Sequence, residues 1–153
     1  MNITKLGENE MSITDKRLTD IQAFGPQGEQ VAALIDRAGK LTVDEVEKLG
    51  AAWYADGHAA GDAVWDTARV ARHVALVARD AAWDAVWDAA GDAAQFAARD
   101  VTGVVARFAA GDAALALVVR DLISKEHYDL LTGPWAQVIG PAHPDDPTRE
   151  DTP

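Results

Sequence analysis

Arg79-Asp80-Ala81-Ala82-Trp83-Asp84-Ala85-Val86-Trp87-Asp88-Ala89-Ala90-Gly91-Asp92-Ala93-Ala94 is the stretch that decides the fold. Four tetrads in a row open on Arg, Trp or Gly, continue with Asp and close on two small apolar residues. Weaker copies precede it (Gly61-Asp62-Ala63-Val64, Trp65-Asp66-Thr67-Ala68) and follow it (Gln95-Phe96-Ala97-Ala98, Arg99-Asp100-Val101-Thr102, Arg107-Phe108-Ala109-Ala110). A period of four with paired alanines is a helical pattern, because residues four apart share a helix face and Ala is the strongest helix former. Small side chains also let helices approach closely. An all-α fold follows from this pattern, and no chemistry does.

The large residues carry a second register. Trp65, Trp83 and Val101 stand 18 residues apart, five whole turns of helix. Leu76, Trp87, Val105 and Phe108 fall within about 40° of the same line at 100° per residue. This register predicts one long Ala-rich helix over about 62–110, and a helical bundle or hairpin built around it. Such a helix runs roughly 70 Å at 1.5 Å per residue, longer than a compact domain of this size is wide. An elongated molecule is expected, whose edge of Trp65, Leu76, Trp83, Trp87, Val101, Val105 and Phe108 is a candidate interface. Asp80, Asp84, Asp88 and Asp92 lie to one side of that edge and form an acidic face. Asp112 would land on the Trp face of this helix, so a break is expected at Gly111, with Asp112 capping the next helix. Gly91 is the alternative break, because Asp92-Ala93-Ala94-Gln95 reads as a capping box.

Working outward, residues 1–25 read as a flexible arm that Gly25-Pro26 stops. Gln27 to Ala38 has apolar residues at helical spacing and closes on Gly39. Thr42-Val43-Asp44-Glu45 is a capping box that opens a helix through Val46, Leu49 and Trp53. Asp112 to Ile123 is almost wholly apolar and marks the best-buried element. Ser124 caps a short helix, Lys125 to Leu131, that Gly133-Pro134 is expected to end. Tyr128, Leu130, Leu131, Trp135, Val138 and Ile139 make a short C-terminal cluster of large residues. The expected organisation is an arm (1–25), a single helical domain (26–140) and a disordered acidic tail (141–153).

Composition narrows the functional classes. A net charge of −11 argues against a basic nucleic-acid-binding face. With no cysteine there is no disulfide and no thiolate metal site. Residues 1–16 are polar and carry no signal-peptide core, and Asp or Arg interrupts every apolar run from Ala51 to Leu122, so a soluble cytoplasmic protein is expected. From Gly50 to Ile123 every charged residue is Asp or Arg, and the frequent residues have GC-rich codons. The tetrads therefore read as expansion of a short DNA repeat, in which some Trp and Gly residues are variants of one slot.

Catalytic chemistry finds little to stand on. His58, Asp62 and Asp66 stand at successive i+4 positions, a metal-ligand spacing. His73 lies two turns beyond Asp66, however, and no Glu-x-x-His pair is present, so a solvated repeat face is the simpler reading. His143 with Asp145 and Asp146 sits between prolines, a poor cage for an ion. Like charges every four residues in the Asp80–Asp92 ladder repel and argue for solvent, not a cleft. Ser12 and Ser124 are the only serines, one in the arm and one a cap. No phosphate loop is present. Neither enzyme activity, cofactor nor metal is expected, nor direct contact with nucleic acid or membrane.

The Trp/Arg/Gly-Asp-Ala-Ala tetrads, the run from Ala114 to Ile123 and the block Tyr128-Asp129-Leu130-Leu131-Thr132-Gly133-Pro134-Trp135 together resemble uncharacterised Ala-rich proteins of actinobacteria and their phages. The likeness spans roughly Thr42 to Pro144 and implies a phage or prophage product acting in a bacterial host cytoplasm, without an established activity. The expected function is a helical interaction or structural protein that assembles with further copies of itself or with a host protein. The alternative is an acidic decoy: carboxylates recurring at about 6 Å of rise mimic phosphate spacing and would occupy a basic host protein. The assembly expectation hangs on a continuous rod, and a rod folded back on itself would remove its motive.

Overall fold

The computed structural model describes residues 23–74, 76–94 and 101–147 and, within its helices, leaves the side chains at 56–64, 66, 68, 71–74, 92–94 and 101–102 undescribed. Five helices follow one another among these residues, with no strand: α1 (Gly28–Ala38), α2 (Val43–Val74), α3 (Leu76–Ala94), α4 (Val101–Val118) and α5 (Lys125–Val138). They pack into an all-helical bundle.

Local chemistry sets several helix ends where the sequence puts them. In α1, Val31, Leu34 and Ala38 are buried at helical spacing, and the Gly39 N–H closes the last turn on the Ile35 carbonyl (3.1 Å). The capping box forms as read: the Glu45 N–H donates to Thr42 Oγ1 (3.2 Å) and the Thr42 N–H to Glu45 Oε1 (3.1 Å). Arg37 reaches across from α1 to form an ion pair with the same Glu45 carboxylate, so one acid caps α2 and ties it to α1. Ser124 caps α5 by accepting from the His127 N–H (3.1 Å).

The single helix over 62–110 is corrected by the structure. Chain segments α3 and α4 lie antiparallel, with Gly111 of α4 against the Trp83 ring of α3 and Arg107 of α4 against Gly91 of α3. In one continuous helix Trp83 and Gly111 would stand about 42 Å apart. The chain therefore runs in opposite directions in α3 and α4. The physical reason is burial: a lone rod leaves its alanines in water, whereas antiparallel packing buries Ala82, Val86 and Ala90 of α3 together with Ala106, Ala109, Ala110 and Ala113 of α4. Neither expected break is used, since Gly91 lies within α3 and Gly111 and Asp112 lie within α4.

Helix α4 is the centre of the fold. From Val105 to Val119 every residue is buried except the half-buried Arg107 and Phe108, and α1, α2, α3 and α5 all contact the helix. A helix apolar on all sides needs neighbours on all sides. Two further expectations are corrected at the C-terminal end. Gly133-Pro134 does not end the last helix, which continues to Val138 with Leu131, Pro134 and Trp135 buried. Burial of these three outweighs the hydrogen bond that an interior proline forfeits.

Residues 141–147, expected in a disordered tail, are docked on the bundle. Asp146 accepts from Tyr128 OH (2.6 Å), Arg120 Nη2 (3.3 Å) and the His143 N–H (3.2 Å). Asp145 and Asp146 look like solvated tail charges in sequence, but Asp146 has a cation and a phenol waiting on α5 and the loop before it. At the other end, Phe24 of the expected arm is buried and Gly25 turns the chain with φ +82°. Residues 1–22 lie outside the described part. No described helix is long and apolar enough to cross a membrane.

Candidate functional site

Three places in the bundle bring chemistry-bearing side chains together. The first is an aromatic cluster where α2, α3 and α4 meet. Trp83 and Trp87, one turn apart on α3, stack at 5.7 Å between centroids, and Phe108 of α4 stands edge-on to Trp87 at 5.0 Å. Trp53 of α2 stacks on the other side of Phe108 at 5.8 Å. The Arg107 guanidinium covers the Trp87 ring at 5.1 Å, a cation–π contact. The rings touch one another and are half-buried, so the cluster is a packed aromatic wedge beside the alanine-lined core.

Asp112 sits beside that wedge, 7% exposed, and accepts from Trp53 Nε1 at 3.1 Å. Burial pushes its carboxyl up from 3.8 to about 6, and the Trp53 hydrogen bond offsets only part of that. Sequence reasoning placed Asp112 on the Trp face and took this as a reason to break the helix. Within α4 Asp112 does share a side with Val105 and Phe108, but no break follows. The indole N–H of Trp53, 59 positions away in the chain, supplies the polar partner that makes a carboxyl tolerable there. No local signal marks this aspartate, because Gly111-Asp112-Ala113-Ala114 repeats Gly91-Asp92-Ala93-Ala94 letter for letter.

The second place is the docked C-terminal segment. His143 Nδ1 accepts from the Asp145 N–H (3.0 Å) while Nε2 faces Gln27 Oε1 (3.1 Å), and Gln27 Nε2 in turn donates to Asp121 Oδ2 (3.1 Å). This relay joins the C-terminal segment to the start of α1 and to the α4–α5 loop. A pocket of about 230 Å³ opens beside it between Arg120, Tyr128, Asp129 and Asp145. Most of its charged lining is matched: Arg120 and Tyr128 serve Asp146, Lys125 Nζ donates to Asp129 at 2.7 Å, and the exposed Asp145 carboxylate lies 3.7 Å from His143 Nδ1. Burial, and then the Asp146 acceptor, raise the Tyr128 phenol above its ordinary value.

The third place is the outer edge of α2. Val43, Tyr54 and Trp65 are 50%, 60% and 79% exposed, and they recur every eleven residues. Eleven residues advance 1,100° at 100° per residue, only about 20° beyond three full turns, so the three share one face along about 33 Å. The next step of eleven falls on Leu76 at the start of α3, 45% exposed, with Val77 beside it.

The sequence-derived interface residues thus separate. Val105 is buried, Trp83, Trp87 and Phe108 are half-buried and touch one another, and Trp65 and Leu76 face outward. The side chain of Val101 lies outside the described residues, as do those of His58, Asp62, Asp66 and Asp92. Asp80, Asp84 and Asp88 are exposed in a row at i+4, with Asp80 paired to Arg79 at 3.1 Å. Among the described residues no cluster of His, Cys, Asp and Glu could hold a metal ion. Tyr54 is the residue that sequence reading missed. Its eleven-residue spacing to Val43 and Trp65 was available, but the stronger four-residue beat drew the register elsewhere. Comparison of this chain with protein-family models, with curated proteins and with solved structures finds no match.

Proposed function

We propose that this chain is a non-enzymatic helical association protein that docks a protein partner on the outer edge of α2. The observation that carries the reading is the exposure of Val43, Tyr54 and Trp65 in one eleven-residue register. A single exposed apolar residue is ordinary on any surface. Three large ones on one helix face, with an indole almost wholly in water, form the kind of strip that marks an interaction site. Trp83, Trp87 and Phe108 are half-buried against one another, so the association reading keeps Trp65 of the seam the sequence suggested and adds Val43 and Tyr54. The phage or prophage origin and the cytoplasmic setting implied by the resemblance belong to the same proposal.

A photo-crosslinking residue placed at position 65 in cells tests this. The expected result is a discrete protein adduct that Tyr54→Asp abolishes, with none from position 84. No adduct from position 65 would overturn the reading. The exposed row Asp80, Asp84 and Asp88 favours a second reading, the acidic decoy. It calls instead for an adduct from position 84 with a basic protein, released steeply by salt.

A further inference from the structure

The docked C-terminal segment covers a second place where the bundle can take a ligand, independent of the α2 edge. We infer that Arg120 and Tyr128 form a receptor for the carboxylate of an acidic peptide, and that Asp146 is a built-in occupant that holds it closed.

The receptor belongs to the bundle and not to the segment. Tyr128 is a buried residue of α5, and the Arg120 guanidinium, from the turn after α4, lies over its ring at 5.4 Å. Phenol and cation are aimed at one place, and Asp146 fills it. Tyr128 OH donates to Asp146 Oδ2 at 2.6 Å and Arg120 Nη2 donates to Oδ1 at 3.3 Å. Donors of this kind, one of them charged, are what a carboxylate is recognised by. The adjoining pocket of about 230 Å³ is shared with Ile123, Lys125 and Asp129 and leaves room beside the carboxylate for the rest of a peptide. With the segment lifted, its charged lining is Arg120, Lys125 and Asp129, a net positive spot on a chain of net charge −11.

Asp146 is also a displaceable ligand. It engages the guanidinium through Nη2 alone, and Arg120 Nε is buried with no hydrogen-bond partner among the described residues. A carboxylate that meets Nε and Nη2 together gains the paired contact that Asp146 forgoes. The segment itself is irregular and begins at Gly140, whose φ of +141° favours glycine and whose surroundings are open. Pro141, Pro144, Asp145 and Pro147 are exposed, which leaves Ala142, His143 and Asp146 to hold it. Tethering keeps Asp146 at an effective concentration on the order of millimolar, enough to exclude weak ligands and to yield to a better one.

The test uses the full-length protein and a fluorescein-labelled peptide with the sequence of residues 141–148, followed by anisotropy, with circular dichroism recording the fold. The double variant His143→Ala/Asp146→Asn removes both polar holds of the segment. It is expected to bind the probe at least about tenfold more tightly than the wild type, whose receptor is occupied. Adding Arg120→Gln should abolish binding, adding Tyr128→Phe instead should weaken it about fivefold, and a probe carrying Asp146→Asn should not bind. If Arg120→Gln unfolds the chain, Tyr128→Phe and the altered probe decide. Equal binding to wild type and double variant, binding to neither, or binding indifferent to Tyr128→Phe and to the altered probe overturns the inference. Inorganic phosphate should displace the probe no better than chloride at equal ionic strength; specific displacement by phosphate overturns the assignment to a carboxylate.

Discussion

Replacing Asp112 by Asn should stabilise the protein near neutral pH and leave it unchanged in acid. In the fold the Asp112 carboxyl is raised to about 6 by burial, whereas in the unfolded chain it titrates near its ordinary 3.8. The folded state therefore holds the proton more tightly, and the sign runs opposite to that of a salt-bridged carboxylate. Below about pH 4 both states are protonated and the group contributes no penalty. As pH rises from about 4 to about 6, the unfolded chain ionises first and stability falls. Above the folded value the penalty levels off. The gap between about 6 and 3.8, at 1.36 kcal/mol per pH unit, corresponds to about 3 kcal/mol. Asn keeps an oxygen for the Trp53 N–H and carries no charge at any of these pH values. Urea unfolding of both proteins, followed by Trp fluorescence between about pH 4 and pH 7, should show a stability gap that opens with pH to about 1–3 kcal/mol in favour of Asn. A gap that is absent, reversed or constant across this range would refute the reasoning, because only ionisation of a buried carboxyl makes it grow.

Two further substitutions test the packing that positions the sites. Gly91 and Gly111 occupy the same slot of identical tetrads, yet a Cβ at Gly111 would stand 2.5 Å from Trp83 Cζ3, while one at Gly91 meets only the end of the Arg107 side chain. Gly111→Ala should thus destabilise by about 1–3 kcal/mol, whereas Gly91→Ala should be near neutral, a gain of up to about 1 kcal/mol in helix propensity offsetting the displaced guanidinium; thermal unfolding distinguishes them, and equal effects would contradict the hairpin. Tyr128→Phe removes the donor to Asp146, so it should cost about 1 kcal/mol and speed amide exchange at residues 143–146 more than elsewhere. Uniform exchange would mean that the C-terminal segment is held by other contacts.

The helical nature of this chain was legible residue by residue, because helix formation depends on neighbours within four positions. The capping box at Thr42 and Glu45, the Ser124 cap and the Gly39 stop all form as read, for the same reason: each closes a hydrogen bond over three or four residues. Even the azimuth of Asp112 was legible, since it follows from counting at 100° per residue. Periodicity could not say where a run of good helix formers would reverse. Every tetrad from Gly61 to Ala110 favours helix almost equally, so the antiparallel pairing of α3 and α4 was chosen by what their small apolar faces gained from meeting each other.

The same division separates the sites. Identical tetrads place Asp92 and Asp112 alike in any local reading, and only Trp53, brought in by the packing of α2 on α4, makes Asp112 a buried acid. Asp146 has the composition of a solvated tail residue until Arg120 and Tyr128 stand beside it. Exposure is likewise a property of the assembled bundle: Trp65, Trp83 and Trp87 share one register on paper, yet the packing half-buries two of them and leaves the first in water. Short-range hydrogen bonding and side-chain spacing are written along the chain, whereas burial belongs to pairs of surfaces that no single stretch of it contains.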